Sequence, residues 1–177
     1  LEAYRIASPL DAQDPEQLLR SAGAQRPELP ELSATGRLQA LLDAIDGYLS
    51  ALPGPGIAEV RAGLNAARFA SVTLPEPQSS PLLAQHLPAA LAALHPSHPV
   101  LAQTITAAAP LLHWHPYDCY PVDQIGVDFA NGHCFASLVG EDAPFPARDY
   151  DLGLFLIAPN LLYRDHQHRA PELYAPL

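Results

Sequence analysis

Hydrophobic periodicity changes once along this chain, near residue 110, and that change constrains the fold more than any other feature. Before it, apolar residues recur at three- and four-residue steps, the spacing of amphipathic helices. After it, apolar residues form short runs between turn residues, which is typical of strands. We therefore predict an α+β protein with a helical region over residues 1–110 and a β region over 111–177.

The helical region divides into segments separated by proline- and glycine-rich breaks. A first helix should begin at Asp14-Pro15-Glu16, where an N-cap acid precedes a first-turn proline, and should end at Gly23. The clearest helix covers about residues 36 to 52, with leucine and isoleucine along one face. Three more helices are predicted at about residues 57–69, 82–94 and 101–112.

The β region contains one segment that is typical of a hairpin. Asn131-Gly132 is a common two-residue hairpin turn, and it separates Gly126–Ala130 from Cys134–Val139. We predict that these two runs pair, which would place His133 at the hairpin tip in water. The apolar run Leu152–Ala158 predicts a further, buried strand.

Composition excludes several classes of function. Apolar residues make up 49% and charged residues 16%, as in globular proteins, and a net charge of −10 argues against nucleic-acid binding. All nine basic residues are arginines, which excludes Schiff-base chemistry on lysine within this sequence. We expect Cys119 and Cys134 to be free small hydrophobes. Without an apolar run of about 18 residues, no membrane span is predicted, and a cytoplasmic protein is expected.

The segment Tyr163–Tyr174 concentrates side chains that bind metal ions. His166 and His168 are two residues apart, so on a strand both would face the same side. Pro171 indicates an irregular backbone that could bring the Glu172 carboxylate to the same point. Two imidazoles and a carboxylate suit a divalent transition metal such as Fe(II), Mn or Zn. We therefore predict a site for one metal ion.

This segment resembles the first metal motif of the cupin barrels. That motif has glycine six residues before its first histidine, where this chain has Asn160, which tolerates left-handed backbone better than most residues. The flanking tyrosines narrow the resemblance to the cupin-type dimethylsulfoniopropionate (DMSP) lyases and their relatives. The residues that carry it are Tyr163-x2-His166-x-His168-x3-Glu172-x-Tyr174.

The resemblance implies a double-stranded β-helix, or jelly-roll, barrel preceded by helices. We expect those helices to pack on the barrel or on a second copy of the chain, as in a homodimer. Leu177 comes before a second motif and before further barrel strands. The natural protein is accordingly expected to continue, with a histidine beyond Leu177 as the fourth metal ligand.

The resemblance also implies the reaction and the roles of the site residues. A DMSP lyase removes a proton α to the substrate carboxylate and expels dimethyl sulfide, leaving acrylate. One Zn, Fe or Mn ion would be held by His166, His168 and Glu172. Tyr174 would be the base, and also a metal ligand, with Tyr163 assisting it.

A group of aromatic residues could recognise the substrate. A sulfonium group is a cation without ordinary hydrogen-bond donors, and aromatic faces attract such cations. Trp114 and Tyr120, beside Tyr117, are therefore predicted to bind substrate. A plain aromatic core patch is the alternative. The neighbouring His113 and His115 are expected on a strand around a packed Trp114.

Two other functions remain open at this stage. One is a metal-dependent cupin dioxygenase or isomerase acting on another small carboxylate. The other is a cupin that binds a metal or a small ligand without turnover. All three predict a small-molecule partner and neither nucleic acid nor membrane.

Overall fold

In the computed structural model, residues 31–116, 121–163 and 169–177 are described. The chain forms two units, Leu1–Glu31 and Leu32–Leu177, and all elements named below belong to the second. The helix predicted near residues 14–22 lies outside the described residues. The helices are α1 (Ala34–Ser50), α2 (Ile57–Ala67), α3 (Pro81–Leu94), α4 (Pro99–Ala108), α5 (Val122–Ile125) and α6 (Val127–Asn131), with a 3-10 turn at Ala109–Leu111. The strands are β1 (His133–Gly140), β2 (Phe145–Pro146) and β3 (Leu152–Ile157).

Helix α1 carries the apolar stripe that the sequence predicts. It begins after Ser33, whose Oγ accepts a hydrogen bond from the Gly36 amide at 3.1 Å, as an N-cap does. It ends at Ser50, shortly before Pro53-Gly54. The buried side chains recur at helical spacing, which confirms the prediction: Leu38, Leu41, Leu42, Ile45 and Leu49.

Helices α2, α3 and α4 also lie where the periodicity predicts them. Prolines occupy the first turns of α3 and α4, where a missing amide hydrogen costs nothing. Helix α1 packs against both α4 and α2. The Asp46 carboxylate on α1 accepts a 2.6 Å hydrogen bond from Arg61 on α2, and this bond lowers the pKa of Asp46.

The sheet places β1 in the centre. Strand β1 pairs with β3 in antiparallel register, with Phe135 opposite Phe155, and pairs briefly with β2 in parallel. Buried side chains of β1 and β2 join the helical leucines in one hydrophobic core. A mixed helix and strand fold is therefore confirmed. Within the described ranges the sheet has three strands, and the barrel stays a prediction.

The predicted hairpin around Asn131-Gly132 is wrong. Val127–Asn131 forms helix α6, and Gly132 closes that helix by donating to the Phe129 carbonyl at 3.1 Å. Strand β1 finds its partner in β3 instead. The segment Gly126–Ala130 has only five residues, which is too short for its pattern to distinguish a strand from a helical turn. The pairing of β1 depends instead on β3, which lies farther along the chain. His133 is consequently not at a tip in water, and only 2% of it is exposed.

None of the helices that the structure describes combines the length and the apolar character needed to cross a membrane. Cys134 is a free, buried thiol, as predicted, whereas Cys119 lies outside the described residues.

Two glycines allow a matched test of helix packing. A Cβ on Gly63 of α2 would meet the Tyr150 ring at 2.5 Å, and the Tyr150 hydroxyl donates to the Val60 carbonyl of the same helix at 2.8 Å. A Cβ on Gly47 of α1 would meet nothing within 4 Å. We expect Gly63→Ala to lower the free energy of unfolding by about 1–3 kcal/mol, because overpacking displaces Tyr150.

Gly47→Ala is the control, and it should raise the free energy of unfolding by about 0.5–1 kcal/mol through helix propensity alone. Urea unfolding measures both variants. If the two substitutions stabilise the protein equally, Tyr150 does not pack on α2 in this way.

Candidate active site

The chain turns sharply between the end of β3 and the predicted metal motif. The Ala158 amide donates to the Gly132 carbonyl at 2.8 Å, which ties the end of β3 to the start of β1. Asn160 then adopts left-handed backbone, with φ at 64°. This is the position where the cupin motif has glycine. Asn160 therefore supplies the conformation for which glycine is otherwise preferred.

Two phenols and a carboxylate form a continuous hydrogen-bond chain after this turn. The hydroxyl of Tyr174 donates to Oε2 of Glu172 at 2.8 Å. The hydroxyls of Tyr163 and Tyr174 lie 3.0 Å apart. Because the proton of Tyr174 is directed to Glu172, Tyr163 is the donor to Tyr174. The order of donation is Tyr163 to Tyr174 to Glu172.

The Tyr163 ring lies among other aromatic rings. It is parallel to the Phe129 ring, with centroids 5.1 Å apart and 2° between the planes. Phe155 meets it edge-on at 5.5 Å, and the Tyr174 ring does so at 5.9 Å. Parallel and edge-on contacts of this kind are the favourable geometries for aromatic pairs. Tyr163 is therefore held on two sides, whereas Tyr174 is 52% exposed and accessible to a small molecule.

His133 lies behind these rings in the core. Its Nδ1 is 2.6 Å from the Phe129 carbonyl oxygen, so Nδ1 carries the hydrogen and donates. The imidazole stacks on the Phe129 ring at 4.6 Å and meets Phe155 edge-on at 5.5 Å. The sequence predicts no role at the site for His133, Phe129 or Phe155. His133 begins β1, two residues after α6 ends at Asn131, so its contact with Phe129 depends on a short helix that the hairpin interpretation of this segment did not include.

The structure places the predicted site residues as follows. Tyr163, Glu172 and Tyr174 are brought together by hydrogen bonds. Three further predicted residues lie outside the described residues: His166, His168 and Tyr120.

Trp114 is predicted to bind substrate, and it is deeply buried. Only 2% of it is exposed, and its Nε1 donates to the Ala109 carbonyl at 2.9 Å. It belongs to the hydrophobic core, which is the alternative that the sequence left open. A role for Trp114 in substrate binding stays a prediction.

His113 and His115 flank Trp114 and lie nearer the surface. Each takes part in a single β-bridge, to Gln78 and Phe135 respectively. Each Nδ1 lies 3.0 Å from a backbone carbonyl oxygen, and the ring centroids are 5.7 Å apart. In the part of the chain that the structure describes, no group of three or more histidine, cysteine, aspartate or glutamate side chains could hold a metal ion.

The predicted metal motif brings two oxygen donors close together. Oε2 of Glu172 and the Tyr174 hydroxyl are 2.8 Å apart in a hydrogen bond. Tetrahedral zinc ligands at about 2.0–2.2 Å from the ion are about 3.4 Å from each other, so the two oxygens would have to separate slightly, with loss of the phenol proton, to share one ion. Metal binding by these residues stays a prediction.

One comparison with known proteins, a match to a family model, identifies the family of this chain. The family model for dimethylsulfoniopropionate lyase matches residues 60–177, about two thirds of the chain. Among solved structures, the chain is similar to one described as "Crystal structures of DMSP lyases RdDddP and RnDddQII", with 21% identity and a TM-score of 0.39. That similarity covers 70% of this chain but only 58% of the solved one. No curated protein matches the chain.

Asn160 gives a test of the turn into the site. Alanine in left-handed backbone is disfavoured by about 1–2 kcal/mol, whereas glycine adopts it freely. We expect Asn160→Ala to lower the free energy of unfolding by about 1 kcal/mol and Asn160→Gly to change it little. Urea unfolding of both variants checks this. A greater loss with glycine than with alanine would show that Asn160 acts through its side chain and not its backbone.

Proposed function

Because this chain belongs to the dimethylsulfoniopropionate lyase family, we propose that it cleaves DMSP to dimethyl sulfide and acrylate. The observation that carries the proposal is the hydrogen-bond chain from Tyr163 through Tyr174 to Glu172. It offers a phenol as a base at an accessible position. The chain spans 58% of the length of the solved relative, so the activity is proposed for the whole protein.

The reaction is a β-elimination. A base removes a proton from the carbon α to the substrate carboxylate, and that C–H electron pair becomes the new carbon–carbon double bond. The bond between the β carbon and sulfur breaks, and its electrons leave with sulfur as neutral dimethyl sulfide. The products are acrylate, dimethyl sulfide and the protonated base. No oxidant or reductant is consumed.

Tyr174 is the proposed base, and its neighbours determine how readily it loses its proton. A free phenol has a pKa near 10, too high for a base at neutral pH. The Tyr163 hydroxyl, 3.0 Å away, can donate to the phenolate and lower that pKa. The Glu172 carboxylate accepts from Tyr174 at 2.8 Å and, as an anion, opposes ionisation of the phenol. A positive charge must therefore offset Glu172.

We propose that His166, His168, Glu172 and Tyr174 hold one Zn, Fe or Mn ion. When bound, such an ion supplies positive charge that favours the phenolate and stabilises charge on the substrate carboxylate. The support for this site is the donor chemistry of the motif and the proximity of Glu172 and Tyr174, which are joined by a hydrogen bond. Tyr163 then holds the Tyr174 oxygen in place by donating to it.

The direct test adds DMSP to the purified protein and measures dimethyl sulfide in the headspace with acrylate in solution. The two products should appear in equal amounts. Acrylate without dimethyl sulfide, or no product at all, contradicts the proposal. In that case, turnover of another small carboxylate would favour the dioxygenase or isomerase alternative, and binding without turnover would favour a ligand-binding protein.

Tyr174→Phe removes the proposed base and keeps the ring. We expect kcat, compared at equal metal content, to fall by about 10²–10⁴-fold, the usual contribution of general acid–base catalysis. The control is Tyr150→Phe, because burial raises the pKa of Tyr150 to about 12 and its hydroxyl only donates to the Val60 carbonyl. Dimethyl sulfide release measures both. Equal rates for the two variants would remove Tyr174 from the mechanism.

Glu172→Ala removes the proposed carboxylate ligand. We expect the purified variant to lose most of its bound Zn, Fe or Mn, as measured by elemental analysis, because the three remaining proposed ligands lack the anionic carboxylate and should hold the ion less tightly. Glu141→Ala is the control, since Glu141 is an exposed acid in the turn between β1 and β2. If Glu172→Ala retains a full complement of metal, Glu172 is not a ligand.

A further inference from the structure

We propose that Phe129 and His133 are positioning residues for the Tyr163 hydroxyl. The inference rests on the proposed function, because it concerns how Tyr163 is aligned with the base Tyr174. It adds two residues that lie before β3, far from the motif in sequence. Neither residue needs to contact the substrate for this role.

Phe129 fixes the plane of the Tyr163 ring. The two rings are parallel within 2° and their centroids are 5.1 Å apart, so one face of Tyr163 rests on Phe129. Only 4% of Phe129 is exposed, so its ring cannot swing away without disturbing the core. A tyrosine has two side-chain torsions, and fixing the ring plane determines where its oxygen lies. That oxygen lies 3.0 Å from the Tyr174 hydroxyl.

His133 fixes Phe129 in turn. Its Nδ1–H donates to the Phe129 carbonyl at 2.6 Å, and its ring stacks on the Phe129 ring at 4.6 Å. His133 is also the first residue of β1 and lies opposite Ile157 of β3. Phe129, on which the Tyr163 ring rests, is therefore attached through His133 to the paired strands β1 and β3. A short helix such as α6 is otherwise marginal and gains its order from such contacts.

The consequence for the reaction follows from the direction of donation. Tyr163 donates to the Tyr174 oxygen, and that bond holds the oxygen in place. If Tyr163 shifts, the bond lengthens and the Tyr174 oxygen is no longer held where it can reach the substrate proton. A displacement of about 1 Å in a catalytic group can cost about 10²-fold in rate.

The first test compares Phe129→Leu with Phe145→Leu. Both remove a ring that is at most 4% exposed, but Phe145 lies on β2. We expect Phe129→Leu to lower kcat by about tenfold or more with little change in KM. Adding Phe129→Leu to Tyr163→Phe should lower kcat little further, because both substitutions act on the same hydroxyl. Phe145→Leu should leave kcat unchanged, and Phe129→Tyr, which keeps a flat ring, should retain most of it.

The second test concerns the hydrogen bond from His133. Asparagine can place an amide N–H near the position of Nδ1, whereas leucine cannot donate. We expect His133→Asn to keep most of kcat and His133→Leu to lower kcat with little change in KM. If kcat of either Phe129→Leu or His133→Leu equals that of the unmodified protein, the residue concerned does not position Tyr163.

A measurement independent of activity separates this inference from the proposed function. Tyrosine ring protons can be observed by NMR in ring-labelled protein, with Tyr163 assigned from Tyr163→Phe. A stacked Phe129 should shift them upfield, and Phe129→Leu should remove that shift. If the upfield shift is absent in the unmodified protein, the positioning inference fails. If the shift is present but no dimethyl sulfide forms, the proposed function fails while the stacking itself stands.

Discussion

The pairing of β1 with β3 is the interaction on which the described structure depends. It places His133 opposite Ile157 and Phe135 opposite Phe155, so that the start of one strand meets the end of the other. Helix α6 immediately precedes β1, and the turn at Asn160 closely follows β3. The pairing therefore brings Phe129 against Tyr163, although the two are distant in sequence. The central strand is also covered by the helices, which gives the sheet and the helices a common core.

Local signals in the sequence predict the helices well. Helix α1 has a five-residue apolar stripe and an N-cap serine, and both are readable without knowledge of partners. The hairpin fails because strand pairing is not local. Asn131-Gly132 satisfies the rule for a turn, yet the same two residues also end a short helix. The burial of His133 was missed for the same reason, since its environment comes from Phe129 and Phe155.

In the candidate site, too, contacts between residues close in sequence can be predicted and contacts between distant residues cannot. The motif predicts that Glu172 and Tyr174 lie together, and a two-residue separation makes their contact nearly local. Asn160 was correctly expected to accept left-handed backbone, because that property belongs to the residue itself. The contacts of the Tyr163 ring with Phe129 of α6 and Phe155 of β3 could not be predicted. The sequence contains no signal for which of its distant aromatic rings come into contact.

Charge is the reason for proposing a bound cation at this site. A Tyr174 phenolate beside the Glu172 carboxylate would place two negative charges about 3 Å apart, and such a pair is unfavourable without compensation. The chain has nine arginines and no lysine, and with a net charge of −10 its overall field does not supply that compensation. Neutral imidazoles bring ligand nitrogens but no charge. If the His-x-His pair, Glu172 and Tyr174 hold an ion as proposed, that ion supplies positive charge at the phenol, and the basicity of Tyr174 depends on metal occupancy.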